Sequence, residues 1–114
     1  MLARMKVYFK VYEIVQRIPR GRVLSYGAIS KMIDGRLSAQ GVGWALQALP
    51  DAISENNPYC SRNVPWHRVV NAKGGISSRP GAGPDLQQGL LEAEGVKFNK
   101  EGFLDISRYL WVGK

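Results

Sequence analysis

Trp66 and His67 form the stretch of this sequence with the clearest potential for chemistry. His67 is the only histidine of the chain, and Trp66 places a large, flat, apolar side chain directly beside it. Pro65 fixes its own φ angle and removes a donor, so the backbone at Trp66 is set before any ligand arrives. The pair suits ligand recognition, because an indole has no ionisable nucleophile for covalent catalysis. The alternative is that Trp66 anchors the core and His67 is satisfied within it.

Cys60 is the only cysteine of the chain, which excludes a disulfide framework. One cysteine and one histidine do not make a four-ligand zinc site. The sequence therefore predicts no metal site, and we expect no cofactor. We expect Cys60, six residues before Trp66 in the chain, to be a free structural or surface thiol.

Length and composition indicate one globular domain over residues 1–114, with 45% hydrophobic and 22% charged residues. No apolar run approaches the roughly 18 residues that a membrane helix needs, and no signal-peptide core is found. We therefore expect an intracellular protein with no membrane partner, in the nucleus of a eukaryote or in the cytoplasm, with the nucleoid, of a prokaryote. The net charge of +7 favours approach to a polyanion, although plain solubility is an alternative explanation.

The elements that must position Trp66 and His67 are mostly helical. Apolar residues at helical spacing predict a first amphipathic helix that ends at Pro19, carrying Tyr8, Val11, Tyr12, Val15 and Ile18. Val23 and Leu24 then form an extended pair. Ser25 and Ser38 are good N-caps for two short helices, which end at Asp34-Gly35 and at Pro50. Two short capped helices separated by a few residues form the helix-turn-helix pattern.

The second of these helices has no charged residue between Ser38 and Pro50. Its outward face is predicted to carry mostly small and uncharged side chains: Gln40, Gly41, Trp44, Gln47 and Ala48. Such a face lets a helix approach the floor of a groove closely, with its N-terminal N–H groups facing phosphate. The alternative is that the glycines and alanines allow tight packing inside the protein.

The remainder predicts a small β element and one more helix. A loop over residues 51–63 leads to a buried strand at Val69-Val70, and the turn 71–75 joins that strand to Ile76 as a small hairpin. A second loop covers residues 77–84. The last long helix is predicted to bury Leu86, Leu90 and Leu91 and to end at Gly95. A hairpin around residues 99–102 follows, and residues 109–111 close the core.

Taken together, four segments resemble the DNA-binding domain of the O6-alkylguanine-DNA alkyltransferases. They are residues 21–29 (Gly-Arg-Val-Leu-Ser-Tyr-Gly-Ala-Ile), Val42-Gly43, residues 64–71 (Val-Pro-Trp-His-Arg-Val-Val-Asn) and residues 90–95 (Leu-Leu-Glu-Ala-Glu-Gly). The resemblance covers residues 7–111. It implies a mainly α fold with a small β element, a winged-helix-like domain with a helix-turn-helix.

The central motif of the alkyltransferases is Pro-Cys-His-Arg, whose thiolate accepts the alkyl group. Trp66 stands at that acceptor position here, so thiolate transfer cannot occur there. The resemblance is therefore to the alkyltransferase-like proteins. These bind O6-alkylguanine without repairing it, and nucleotide excision repair then acts on the lesion. The implied partners are double-stranded DNA containing O6-alkylguanine and nucleotide excision repair proteins, and a monomer is expected.

The resemblance also implies residue roles in a base-flipping mode of binding. The second helix would lie in the minor groove. The residues in contact with DNA would be Ser25, which caps the first helix, and Ser38, Ala39, Gln40, Gly41 and Trp44. Tyr26 would rotate the 3′ phosphate, and the flipped base would enter a pocket formed by Tyr26, Trp66, Val69, Ser77, Ser78 and Arg79. Structural support would come from His67, Arg68, Asn71 and Glu94, with Glu94 holding His67.

The second helix departs from the family pattern at two positions. The family carries an arginine that fills the gap left by the flipped base, and Gln40 aligns with it here. Glutamine can hydrogen-bond to the orphaned cytosine without bringing charge, and Arg36 is an alternative gap filler. Trp44 is large for a groove-facing residue, and internal packing is the alternative for it.

Two other functions compete with lesion sensing. An active alkyltransferase would have to use Cys60 as its acceptor. A helix-turn-helix transcriptional regulator would read the major groove, but the second helix lacks the arginine or asparagine side chains that form bidentate contacts with bases.

Overall fold

Five α-helices and one short parallel sheet make up the part of the chain that the computed structural model describes, residues 2–76 and 84–112. The elements are α1 (Leu2–Arg17), β1 (Leu24–Ser25), α2 (Tyr26–Met32), α3 (Ala39–Gln47), a 3-10 helix (Trp66–Arg68), β2 (Val69–Val70), α4 (Pro84–Ala93) and α5 (Ile106–Tyr109). This architecture confirms the predicted fold class, mainly α with a small β element.

α1 buries the side of the helix that the apolar spacing predicted. Val11, Tyr12, Val15 and Ile18 are all at most 2% exposed. The Tyr12 hydroxyl donates a 2.6 Å hydrogen bond to the carbonyl of Ala45, which ties α1 to α3. The first helix is thus the packing surface on which the helix-turn-helix rests.

The helix-turn-helix forms with both predicted caps. Ser25 Oγ accepts a hydrogen bond from the N–H of Ala28, and Ser38 Oγ accepts one from the N–H of Gly41, each at 3.1 Å. α2 stops because Asp34 and Gly35 both adopt positive φ values, 58° and 72°. Because each cap satisfies an otherwise free N–H group, the start of each helix is set by a single serine.

The small sheet differs from the predicted hairpin. β2 pairs in parallel with β1, in the register Leu24–Val69 and Ser25–Val70, and Ile76 is not in a strand. The side chain of Asn71 accepts hydrogen bonds from the N–H groups of Lys73 and Gly75, which closes a turn instead of starting a hairpin. The strand at Val69-Val70 was predicted correctly, but its pairing partner is β1, which is distant in the chain, and not the segment that follows it.

α4 is rotated relative to the prediction. Leu91 is fully buried as expected, but Leu86 and Leu90 are exposed, so their predicted inward placement was wrong. Gln87, one helical turn before Leu91, is buried instead at 2% exposure. Its amide donates hydrogen bonds to two backbone carbonyls, and this satisfies a polar group that would otherwise be costly to bury.

The C-terminal residues complete a second, smaller core. An antiparallel bridge joins Phe98 and Leu104 around the predicted turn, and Val23 bridges Leu110 next to β1. Tyr109 is buried in this core, as predicted for the closing segment, whereas Leu110 is 38% exposed. Residues 98–110 therefore close the fold against the start of β1.

Candidate functional site

Glu94, just after α4, lies at the centre of the polar network beneath the Trp66 segment. Its Oε2 lies 2.7 Å from Nε2 of His67 and 2.8 Å from Nη2 of Arg68, and its Oε1 accepts a hydrogen bond from the N–H of Gly21 at 2.8 Å. The Nε of Arg68 adds contacts of 3.0 and 3.1 Å to the two carboxylate oxygens. The predicted contact between Glu94 and His67 is therefore confirmed.

This network is shielded from solvent and sets the charge states of its members. The side chains of His67, Arg68 and Glu94 are 13%, 17% and 5% exposed. Burial alone would raise the pKa of Glu94, but hydrogen bonds from Arg68, Gly21 and His67 lower it to about 2. Burial lowers the pKa of His67, and its contact with Glu94 opposes this only in part. At neutral pH a neutral His67 therefore donates its Nε2 hydrogen to a carboxylate.

Two further hydrogen-bonding groups hold the 3-10 helix in place. Arg68 Nη1 donates to the carbonyl of Ile18 at the end of α1, at 2.8 Å. Gln87 Nε2 donates to the carbonyls of His67 and Val69, at 3.0 and 2.9 Å. The burial of Gln87 was not predicted from the sequence, although its position four residues before the inward Leu91 places it on the same side of the helix. α1, α4 and β1 together therefore position the segment that carries Trp66.

Trp66 is half-buried, so neither a sealed core anchor nor a fully exposed ring describes it. Its ring packs against the main core and stands nearly perpendicular to that of His67, at 87° with centroids 6.1 Å apart. One side borders a cavity of about 460 Å³, which is also lined by Gln16, Ser61, Arg62, Asn63, Val64, Pro65, His67, Arg68 and Leu90. The indole thus packs against the core and also borders open space.

A second open groove, of about 350 Å³, runs along the outward face of α3. It is lined by Tyr26, Ala39, Gln40, Gly43, Trp44 and Gln47. Ser38, Ala39 and Gln40 are exposed at the start of the helix. Trp44 is 56% exposed, which decides against the alternative of internal packing. α3 therefore presents an uncharged surface with one large aromatic side chain.

Gly41 was predicted to lie on that outward face, and this was wrong. Gly41 is buried, and a Cβ added there would lie 3.2 Å from the Cβ of Leu37. The short connection between α2 and α3 folds Leu37 back over the first turn of α3, so this glycine serves internal packing. For Gly41 the packing alternative was correct, whereas Gln40, Trp44, Gln47 and Ala48 are exposed as predicted.

The structure does not place the described members of the predicted pocket in one cavity. Tyr26 and Trp66 pack against the same core cluster but border different cavities. Val69 is fully buried in the core, so its side chain is not a free pocket wall. Ser77, Ser78 and Arg79 lie outside the described residues. The pocket assignment thus stays a prediction.

Cys60 does not present an accessible thiol. It is 5% exposed and free of any disulfide. Its N–H donates to the side chain of Asn63 at 2.9 Å, and its carbonyl accepts hydrogen bonds from Asn63 and Val64. Cys60 was predicted to be either a structural or a surface thiol. The structure shows that it is a buried, structural thiol.

Two kinds of feature are absent from the residues that the structure describes. No helix among residues 2–76 and 84–112 combines the length and apolarity required to cross a membrane. In the same ranges, no three or more His, Cys, Asp or Glu side chains gather as potential metal ligands.

Comparisons with known proteins place this geometry in context. A family model described as the 6-O-methylguanine DNA methyltransferase DNA-binding domain matches residues 6–96. A protein named DNA base-flipping protein from Escherichia coli (strain K12) is 41% identical over 105 residues, covering 90% of this chain and 71% of that protein. Alkyltransferase-like protein 1 of Schizosaccharomyces pombe is 36% identical over 109 residues, covering 91% and 93%.

A solved structure agrees with these sequence matches. The crystal structure of S. pombe Atl1 in complex with damaged DNA containing O6-carboxymethylguanine superposes with a TM-score of 0.73 at 35% identity. The match covers 94% of this chain and 95% of that one. The similarity thus extends over nearly the whole of both chains.

Proposed function

Since the chain belongs to the family of 6-O-methylguanine DNA methyltransferase DNA-binding domains, we propose that it senses O6-alkylguanine in duplex DNA without removing the alkyl group. It binds the damaged duplex, rotates the modified nucleotide out of the base stack and holds it. The chemical basis of this proposal is the residue that stands between Pro65 and His67.

The observation that carries the proposal is the indole of Trp66 supported by the intact Glu94 network. Transfer of an alkyl group needs an accessible thiolate, and an indole offers no ionisable nucleophile at this position. His67 keeps its 2.7 Å contact with Glu94 but has no thiol beside it in the chain. The buried Cys60 is a poor substitute, because an attacking thiol must reach the alkyl carbon.

The exposed face of α3 supports an approach to DNA. Its first turn exposes Ser38, Ala39 and Gln40, and the helix carries no charged side chain between Ala39 and Gln47. Small residues allow close approach to a groove, and the net charge of +7 attracts the phosphates. Extrusion of the damaged base is easier than that of an intact one, because O6-alkylation removes a guanine proton and weakens pairing.

The relatives support the same mode of action. One carries the name DNA base-flipping protein, and the S. pombe structure contains damaged DNA. By this reasoning Tyr26 assists rotation of the nucleotide, while Trp66 and Arg79 contact the extruded base. The stacking of an aromatic or guanidinium face on a base contributes about 1–3 kcal/mol and offsets part of the cost of unstacking.

We further propose that the protein acts as a monomer and that the bound complex marks the lesion for nucleotide excision repair. A non-enzymatic sensor changes the fate of a lesion only if another system excises it. A reconstituted excision reaction on an O6-alkylguanine duplex should therefore incise faster when this protein is added. An unchanged rate of incision would mean that the protein binds the lesion without promoting its excision.

The test of lesion sensing is a pair of measurements on one duplex sequence. Affinity for O6-methylguanine DNA and for intact DNA is compared at fixed salt, because the ionic contribution is common to both. Equal affinities would support a lesion-independent regulator instead. In the second measurement, a radiolabelled methyl group should stay on the DNA. Label that moves to the protein, and no longer does so in Cys60→Ser, would establish alkyl transfer to Cys60.

A further inference from the structure

The outward face of α3 carries one large apolar side chain that the proposed function leaves without a specific task. Among the described residues of α2 and α3, the exposed large apolar side chains are Met32 and Trp44, and Trp44 is the one on α3. It follows Gln40 by four positions, so the two side chains lie on the same face of the helix. An indole that is 56% exposed in the free protein is available to contact a partner.

The surroundings of Trp44 leave room for a base. Trp44, Gln40 and Tyr26 border the same groove, together with the small residues Ala39 and Gly43. Even a Cβ added at Gly43 would lie 3.8 Å from the Tyr26 ring, in ordinary van der Waals contact. The groove therefore has two aromatic residues in its lining, and the residues Ala39 and Gly43 add little side-chain bulk to it.

Base extrusion leaves unsatisfied stacking and hydrogen-bonding groups in the duplex, and this surface carries side chains that can satisfy both kinds. When a nucleotide leaves the duplex, its neighbours lose a stacking partner and its pairing partner loses its hydrogen bonds. Proteins that bind the minor groove insert apolar side chains between base steps, so an apolar side chain can occupy a position inside the base stack. The amide of Gln40 supplies hydrogen bonds but little stacking area, whereas an indole supplies a flat surface of base-like size.

We propose that Trp44 fills the space that the extruded nucleotide leaves in the base stack, while Gln40 hydrogen-bonds to the unpaired base. This inference rests on the proposed base flipping and assigns the side chain that stabilises the flipped state. Filling the gap needs both stacking area and hydrogen bonding. Trp44 supplies the first and Gln40 the second, from one face of the same helix.

Arg36 is the other candidate for this task, and the structure separates it from the groove along α3. Arg36 is exposed in the connection between α2 and α3 and borders a different groove, with Lys10, Arg17 and Asp34 among its other lining residues. Its guanidinium therefore belongs to the side of the domain formed by α1 and the end of α2.

An abasic duplex tests gap filling without requiring any base to be flipped. Affinity for an abasic duplex and for the intact duplex is measured for the wild-type protein and for Trp44→Ala, Trp44→Phe, Arg36→Ala and Met32→Ala. We expect Trp44→Ala to lower the preference for the abasic duplex by on the order of tenfold, the size of one base–aromatic stack. Trp44→Phe should keep most of it, and the exposed control Met32→Ala should keep all of it.

A fluorescent base placed next to the abasic site provides a second readout that a merely structural effect would not change. When 2-aminopurine restacks against an inserted side chain its fluorescence is quenched, so the wild-type complex should be dark and the Trp44→Ala complex bright. Equal losses on both duplexes for Trp44→Ala, or a lost preference in Arg36→Ala, would overturn the assignment. So would a wild-type protein without abasic preference, whatever its discrimination of O6-methylguanine.

Discussion

Glu94 Oε2 lies 2.7 Å from His67 Nε2, and this contact joins the end of α4 to the segment that carries Trp66. The same carboxylate binds Arg68 and the N–H of Gly21. The pair therefore holds the 3-10 helix that begins with Trp66 in one orientation.

The first prediction concerns the strength of this network. Glu94→Gln leaves Arg68 with no ionic partner in the network and weakens the hydrogen bond to His67. Hydrogen bonds to charged groups contribute about 1.5–3 kcal/mol, so we expect a loss of that order in the free energy of unfolding. Urea denaturation followed by circular dichroism measures it. Glu92→Gln, an exposed position in the last turn of α4, serves as the control and should change stability by less than about 0.5 kcal/mol.

The second prediction concerns pH. The pKa of Glu94 falls from an ordinary 4.5 to about 2 in the folded protein, so the folded state favours the ionised form. Its stabilising contribution is present above pH 4.5 and is lost as the pH falls towards 2. This shift corresponds to about 3 kcal/mol.

His67 acts in the same direction. Its pKa is lowered, so protonation of the unfolded chain below its ordinary value of 6.5 also opposes folding. Denaturation curves recorded from pH 7 to pH 2 should show a falling stability, and in Glu94→Gln the part of the fall below pH 4.5 should shrink. An unchanged profile in this variant would assign the acid sensitivity to other groups.

The third prediction concerns discrimination between damaged and intact DNA. Trp66→Ala removes a stacking surface for the extruded base, so affinity for an O6-methylguanine duplex should fall by about tenfold. Affinity for the intact duplex should change little, because phosphate contacts dominate it. Fluorescence anisotropy with both duplexes gives the ratio. A matched loss on both duplexes would place Trp66 outside the lesion pocket.

Tyr26→Phe tests the rotation step, which is the fourth prediction. The variant keeps the ring that packs against the core but lacks the hydroxyl assigned to the phosphate. We expect slower or less complete extrusion, measured by stopped-flow fluorescence of a 2-aminopurine at the flipped position. Unfolding curves of the variant serve as the control for stability, and unchanged extrusion kinetics would leave Tyr26 with a packing role alone.

The fifth prediction concerns the turn that follows β2. Gly74 has a φ of 85°, and a Cβ there would lie 2.3 Å from the carbonyl oxygen of Leu104. Gly74→Ala therefore combines backbone strain with a steric clash, and we expect a loss of more than about 2 kcal/mol. Gly102→Ala is the matched control, because its φ is 88° but its Cβ would meet open space. Only the strain, about 1–2 kcal/mol, should appear there. Thermal unfolding of both variants separates the two effects.

Local chemistry explains which parts of the fold were predictable. Ser25 and Ser38 cap their helices through groups only three residues away, and Asp34-Gly35 ends α2 by its own backbone preference. Such features need no knowledge of distant contacts. The pairing of His67 with Glu94 was also predicted, but only because the resemblance supplied it, since the two residues are far apart in the chain.

Tertiary contacts account for the errors. The leucines of α4 suggested an apolar face including Leu86 and Leu90, but the carbonyls of His67 and Val69 required a donor, so Gln87 turned inward. Likewise, Leu37 folded over Gly41 and removed it from the face of α3. In both cases the packing partner lies outside the helix concerned.

The sequence by itself determined the serine caps of α2 and α3, the basic charge and the placement of an indole beside the single histidine, because these depend on residue type and near neighbours. Only the tertiary structure decided that β2 pairs with β1, that Cys60 is buried, that Trp66 borders a cavity and that Trp44 is exposed. Burial and strand pairing arise from contacts between segments that are distant in the chain. These contacts form together and depend on one another, so no short stretch of sequence specifies them.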